Sequence, residues 1–265
     1  MRLRLAQDAA MDSTLILHIA LIGAIFALAG AVKGVSGMGL PTVAMSLLGL
    51  WMPAAQAAAL LVAPALATNL AQCQGPHAPA LIRRLWPLWL GLAITTVWAP
   101  GLGHGSDLTA RRLLGIALVL YGAWGLWRPV LPNLAARQGW IGIPMDLVTG
   151  LVMGLATGLV TASTAVFVLP MVPYLQTLRL HKDEMVQALG LSFGVATLAL
   201  AARLGLNQHG ASTWLSPWTL WALAAAFAGL WLGTHVRHRL SGNAFQSGLF
   251  LIFIGLGVAN LLKPV

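Results

Sequence analysis

The stretch Thr14–Leu50, TLILHIALIGAIFALAGAVKGVSGMGLPTVAMSLLGL, decides the fold. Its first 19 residues, Thr14–Val32, hold no Lys, Arg, Asp or Glu. At about 1.5 Å per helical residue they cross the roughly 30 Å of hydrocarbon in a bilayer. The break Lys33-Gly34-Val35-Ser36-Gly37-Met38-Gly39 follows. The next apolar run, Gly39–Leu50, is only 12 residues long and carries Pro41, so as a helix it reaches about 18 Å and does not span alone. Backbone that leaves helical geometry inside lipid must be buried in protein or line a water-filled cavity, because an unsatisfied amide costs several kcal/mol there. A full span, a small-residue break and a short proline-bearing segment together point to a membrane protein built around a cavity.

The same pattern recurs along the chain. Apolar runs fall at Thr14–Val32, Gly39–Leu50, Ala54–Gln72, Leu85–Leu102 and Leu113–Trp127. After a polar loop they resume at Ile143–Val160, Ala165–Leu178, Met185–Ala202, Trp214–His235 and Ala244–Leu262. The second run of each half is the short one, and Ala165–Leu178 holds Pro170 and Pro173 after a small-residue stretch, Gly158–Thr164. Such paired, interrupted segments in corresponding places mark a transporter's binding site. The predicted fold is all-α and polytopic: one membrane domain of two five-segment repeats, residues 1–135 and 136–265, with eight to ten transmembrane helices, two of them short or broken.

Composition agrees. Of 265 residues, 58% are hydrophobic and 8% charged, with a mean hydropathy of +0.83, whereas soluble domains average about 45–50% apolar and 25% charged. An ordinary globular protein is excluded. The net charge of +9 fits loop topology signals and anionic-lipid contacts rather than nucleic acid. The single cysteine, Cys73, excludes an internal disulfide and a cysteine metal cage; no metal and no cofactor is expected.

Loop charge votes on topology. If all ten segments cross, and with the N-terminal tail set aside because its Arg2 and Arg4 vote the other way, one side collects Lys33, Arg83, Arg84, Arg128, Arg137, Arg179, Lys182, Arg237 and Arg239, and the other only Arg111, Arg112, Arg203 and Lys263. With eight crossings the bias vanishes. The positive-inside rule therefore favours ten crossings, inverted repeats and both termini outside. Arg2 and Arg4 before an apolar run resemble a signal peptide, but the run is too long for one and Asp8 and Asp12 interrupt the basic segment, so it is expected to be the first transmembrane helix. Most of the 11 tryptophans fall near segment ends, as interfacial anchors do.

Chemistry concentrates at the breaks. The helix that follows each break directs free N–H groups and about half a positive charge into the cavity. Ser36, Thr161, Ser163 and Thr164 add hydroxyls, and Gly34, Gly37 and Gly39 let an anion approach the backbone; the alternative is that these small residues serve close helix packing. Lys33 is either a point charge for an anion or, after so long an apolar run, a residue that snorkels to the interface, and its position favours snorkelling. Asn69 and Gln72 share a helix face, and Gln187 and Ser192 lie on the matching helix of the second half. Asp146 is the only carboxylate within an apolar segment, a candidate for proton coupling, although its position favours an interfacial first-turn acid held by the helix dipole. No catalytic constellation is present: His235 and His238 share a face without a carboxylate, and no H-E-x-x-H, G-x-S-x-G or P-loop occurs.

The run G-A-V-K-G-V-S-G-M-G-L-P-T-V-A-M-S-L-L-G-L from Gly30, with T-N-L-A-Q from Thr68, resembles the first repeat of the TauE/SafE (sulfite exporter) family of membrane permeases. V-F-V-L-P-M-V-P-Y-L-Q from Val166 and H-K-D-E-M-V-Q-A-L-G-L-S-F from His181 are similar to its second repeat. Met38 splits the family's commoner glycine triplet, and Ala162-Ser163-Thr164 stands where glycines are frequent. The resemblance implies transport of a small sulfur-containing anion, such as sulfite or an organosulfonate, by a protein of the cell inner (plasma) membrane. A negative-inside membrane drives a monoanion outward by about 2.3 kcal/mol per 100 mV, which favours export or facilitated flux. The competing class is a non-transporting scaffold in which the breaks are packing devices.

Overall fold

The structure, a computed structural model, describes residues 2–101, 107–127, 145–206, 216–237 and 242–263. Ten helices fill these residues: α1 (Arg2–Ser36), α2 (Leu40–Leu48), α3 (Ala54–Gln72), α4 (Ala78–Trp98), α5 (Asp107–Trp127), α6 (Met145–Thr164), α7 (Met171–Thr177), α8 (Lys182–Leu206), α9 (Pro217–Val236) and α10 (Gly242–Leu262). Seven of them are long and apolar enough to cross a membrane alone. α2 and α7, of 9 and 7 residues, are the expected short segments. Both breaks are narrower and later than the sequence suggests. α1 continues through Ser36, leaving Gly37–Gly39 as the interruption, and α6 continues through Thr164, moving the second interruption to residues 165–170.

Packing exchanges the two halves. α1 lies on α9 as α6 lies on α4; α3 lies on α9 as α8 lies on α4; α3 meets α8 and α5 meets α10. The self-related pairs run antiparallel. On α3 and α8, Asn69 bonds Thr197 while Gln187 reaches back to Cys73 and Gly75. On α5 and α10, Gly115 abuts Gly257 and Gly122 abuts Phe250. A two-fold axis along the membrane normal would make such pairs parallel, so the axis lies in the membrane plane and the repeats are inverted.

Each broken segment runs back along the helix before it. His18, early in the first span, stacks on Trp51 with ring centroids 5.5 Å apart. At the other end of the helix, Gly37 accepts a bond from Gln72 Nε2 at 2.8 Å. About 28 Å of helical rise separates these levels, and the chain from Gly37 to Trp51 returns across it through α2. α6 runs parallel to α4, as Gly154 on Leu88 and Gly158 on Thr95 show, and so does α8, as Ser192 on Trp89 and Arg203 on Ala99 show, so the segment holding α7 runs back in the same way.

The parallel pairs approach until backbones touch. A Cβ on Gly229 would lie 1.9 Å from the Ala27 carbonyl oxygen, and one on Gly34 would lie 2.4 Å from that of Leu230. Gly34 therefore serves packing, the alternative weighed for it above. Gly229→Val is expected to cost about 3 kcal/mol through overpacking, read as a lower unfolding temperature in detergent. Gly194→Ala, whose Cβ meets nothing within 4 Å, leaves that temperature unchanged or raises it.

Candidate functional site

The two breaks share one local design. At the first, Ser36 Oγ donates to Val32 O at 2.8 Å and accepts from Met38 N at 3.3 Å, and Gly37 N bonds Lys33 O at 2.7 Å. At the second, Thr164 Oγ1 donates to Val160 O at 2.7 Å and accepts from Val166 N at 3.1 Å, and Ala165 N bonds Thr161 O at 2.8 Å. Gly37 and Ala165 both hold left-handed backbone, with φ 78° and 54°. The equivalent pairs 36/164, 37/165 and 38/166 are each 128 residues apart. Gly39 adds a second left-handed turn, φ 107°, just before α2, a conformation glycine adopts without a steric penalty. Ala165 lacks that freedom and is held by the fully packed surroundings of its break.

Asn69 and Thr197 are also 128 residues apart, and Asn69 Nδ2 donates to Thr197 Oγ1 at 3.3 Å. Equivalent residues that touch lie on the axis, so this pair marks the midplane. Lys33 joins it there. Its Nζ donates to Asn69 Oδ1 and to Thr68 Oγ1, the latter at 3.1 Å. The side chain is 1% exposed, and no carboxylate among the described residues pairs with it. Lys33 therefore does not snorkel to the interface as its position in the sequence favours; the hydroxyl and amide on α3 turn it inward.

One turn further along α1, Ser36 and Met38 line a cavity of about 230 Å³ with Tyr121 and Trp124 of α5 and Val172 and Gln176 of α7. Tyr121 closes on the break through an O–H to sulfur contact with Met38 of 3.1 Å. The cavity thus joins the first half's break to the second half's short helix. Its symmetry counterpart is packed shut: Thr164, Val166, Met45 and Leu114 are all buried.

The other sequence candidates are placed as follows. Thr161 and Ser163 donate to Thr157 O and Leu159 O of their own helix, and Ser163 lines an apolar groove between α5 and α6. Gln187 donates to the Cys73 and Gly75 carbonyls and accepts from His77 N, which pins the α3–α4 connection. Ser192 accepts from Trp89 Nε1 at 2.9 Å. Asp146 falls in the first turn of α6, and its side chain lies outside the described residues. His235 packs on Trp231, while His238 lies outside the described residues.

Arg203 was legible only as a loop charge. α8 extends to Leu206, so Arg203 is 1% exposed inside the bundle, where Nη1 donates to Thr96 O at 2.9 Å and Ala99 O at 2.6 Å. The apolar residues Leu204 and Leu206 beyond it were the available signal.

The sequence profile described as "Sulfite exporter TauE/SafE" matches residues 22–260, so it covers both breaks and all or part of each of the ten helices. Neither the curated proteins nor the solved structures compared give a match. With inverted repeats, a cavity at one break and a buried cation at the midplane already in place, the match decides the family: this chain belongs to the sulfite exporter TauE/SafE family, membrane transporters of sulfite and related anions.

Proposed function

We propose that the protein is an alternating-access permease of the cell inner membrane that moves sulfite, an organosulfonate or a related sulfur-containing anion by export or facilitated flux. The observation that carries this reading is Lys33, a buried cation without a carboxylate partner, one helical turn below an open cavity. An unpaired buried charge is expensive, and an anion supplies the missing counter-charge. Ser36, Gly37, Gly39 and Asn69 complete the proposed site. Inverted repeats with one break open and its equivalent packed shut fit a carrier caught facing one side. The loop-charge bias supports an open side that faces the cytoplasm, the loading side for export.

Flux in proteoliposomes tests the reading. Ser36→Ala is expected to lower sulfite and methanesulfonate transport by about tenfold, the loss of one hydrogen bond to a charged ligand. Unchanged transport in that variant removes Ser36 from the site. A thermal-shift screen with sulfite, sulfoacetate, taurine, sulfate, thiosulfate and carboxylates identifies the substrate class, and a melting temperature indifferent to every anion favours the scaffold.

A further inference from the structure

A second cation stands on the other side of the midplane. α5 and α10 start and end 135 residues apart, so the contacts Gly115 on Gly257 and Gly122 on Phe250 exchange under the two-fold, and the axis level on α5 falls between Leu118 and Val119. The α5 residues of the open cavity, Tyr121 and Trp124, lie at or beyond that level. Arg111 lies about two helical turns before that level, about 11 Å toward the opposite face. There it borders a remnant space of about 10 Å³ that also touches Thr164, Met45 and Gly49. That volume is at the lower limit for a single water, so nothing larger fits in this conformation. Yet Arg111 Nη1 is buried there without a hydrogen-bond partner among the described residues. Asp107, one turn earlier, borders the same space, but it is exposed and makes no ion pair with Arg111.

Thr164 gives this place its meaning, because it is the equivalent of Ser36 and makes the same hydroxyl contacts. Ser36 lines the open cavity; Thr164 lines the closed remnant. Inversion exchanges the two breaks, so the conformation facing the other side opens at Thr164. An unpaired guanidinium nitrogen beside a hydroxyl is a donor set suited to the oxygens of a sulfonate or sulfite.

We infer that Arg111 and Thr164 form a second anion-binding station, shut in this conformation, which holds the substrate on the face opposite the Ser36 cavity. The inference rests on the anion-permease reading. Lys33 and Ser36 load the anion at one break; Arg111 and Thr164 hold it at the other before release.

The test is sided kinetics with methanesulfonate in proteoliposomes of fixed orientation, each face measured with the other saturated. Arg111→Gln is expected to raise the half-saturating concentration on the Arg111 face about tenfold and to leave that on the Ser36 face within twofold. Arg111→Lys, which keeps the charge, recovers part of the loss, and Arg112→Gln, at an exposed neighbour, changes neither face. Half-saturation in Arg111→Gln that is unchanged on both faces, or raised equally on both, overturns the station. If Arg111→Gln does not fold, Thr164→Val measured in the same way decides, with the same two outcomes. Absence of flux in the unsubstituted protein overturns the permease reading itself, a result distinct from either.

Discussion

Lys33→Met is expected to lower anion flux by about 100-fold while leaving the protein at least as stable. The two halves of this result have separate causes. In the absence of substrate, Lys33 holds a buried amino group against only Thr68 and Asn69, and replacing a poorly compensated buried charge by an apolar side chain of similar volume is commonly neutral or stabilising by about 1–4 kcal/mol. With substrate, the same replacement removes a charge-assisted bond of about 3 kcal/mol, and each 1.4 kcal/mol is about a factor of ten. The measurement pairs methanesulfonate flux in proteoliposomes with thermal unfolding of the same preparation in detergent. Normal flux in Lys33→Met would remove the residue from the site. A drop in stability with flux per folded molecule preserved would make Lys33 a structural residue.

Arg203→Leu is expected to show the opposite pattern, with stability reduced by about 3 kcal/mol and flux per folded molecule within a factor of about three of the original. Nη1 of Arg203 bonds the Thr96 and Ala99 carbonyl oxygens, at the C-terminal end of α4 where helix carbonyls have no partner in their own helix. The guanidinium also opposes the negative end of that helix's dipole. Leucine leaves these acceptors buried and unsatisfied, each at about 1–3 kcal/mol. The contact joins α8 to α4, and the α4 end also packs on α6, where Gly101 meets Ala162. Thermal unfolding in detergent reads the loss. An unfolding temperature within a degree of the original would show that water or lipid headgroups satisfy those carbonyls instead.

The helices were legible because lipid imposes one rule on all of them, and nine of the ten apolar runs lie largely within the helix they foretold. The exception is instructive. Ala165–Leu178 reads as one apolar segment, but only Met171–Thr177 is helical, because Pro170 and Pro173 restrict where a helix starts and an apolar composition does not specify backbone shape. Hydroxyls near the breaks were visible as residue types. Their partners were not, since Thr161 and Ser163 return their protons to their own helix, a local choice that spacing does not reveal. Lys33 shows the limit most clearly: its neighbours in sequence say interface, and its neighbours in space, Thr68 and Asn69, say interior. Only the approach of these two α3 side chains to the end of α1 decides between them. Arg111 was visible as one more loop charge, and the closed space beside Thr164 exists only once the halves are assembled.

The bond between Asn69 and Thr197 bears on how such a chain could arise. Were the two halves identical separate proteins, an antiparallel pair would bring a residue face to face with its own copy at this point, and the same side chain would have to serve as donor and acceptor. One copy would also have to insert into the membrane upside down relative to the other, which requires loops with no net preference for either side. Joining the halves in one chain removes both requirements. The contact at the axis is free to become an amide facing a hydroxyl, and the loops are free to acquire an excess of Lys and Arg on one side that commits every molecule to a single orientation. A directional carrier needs that commitment, because a population inserted both ways would present each face to both compartments.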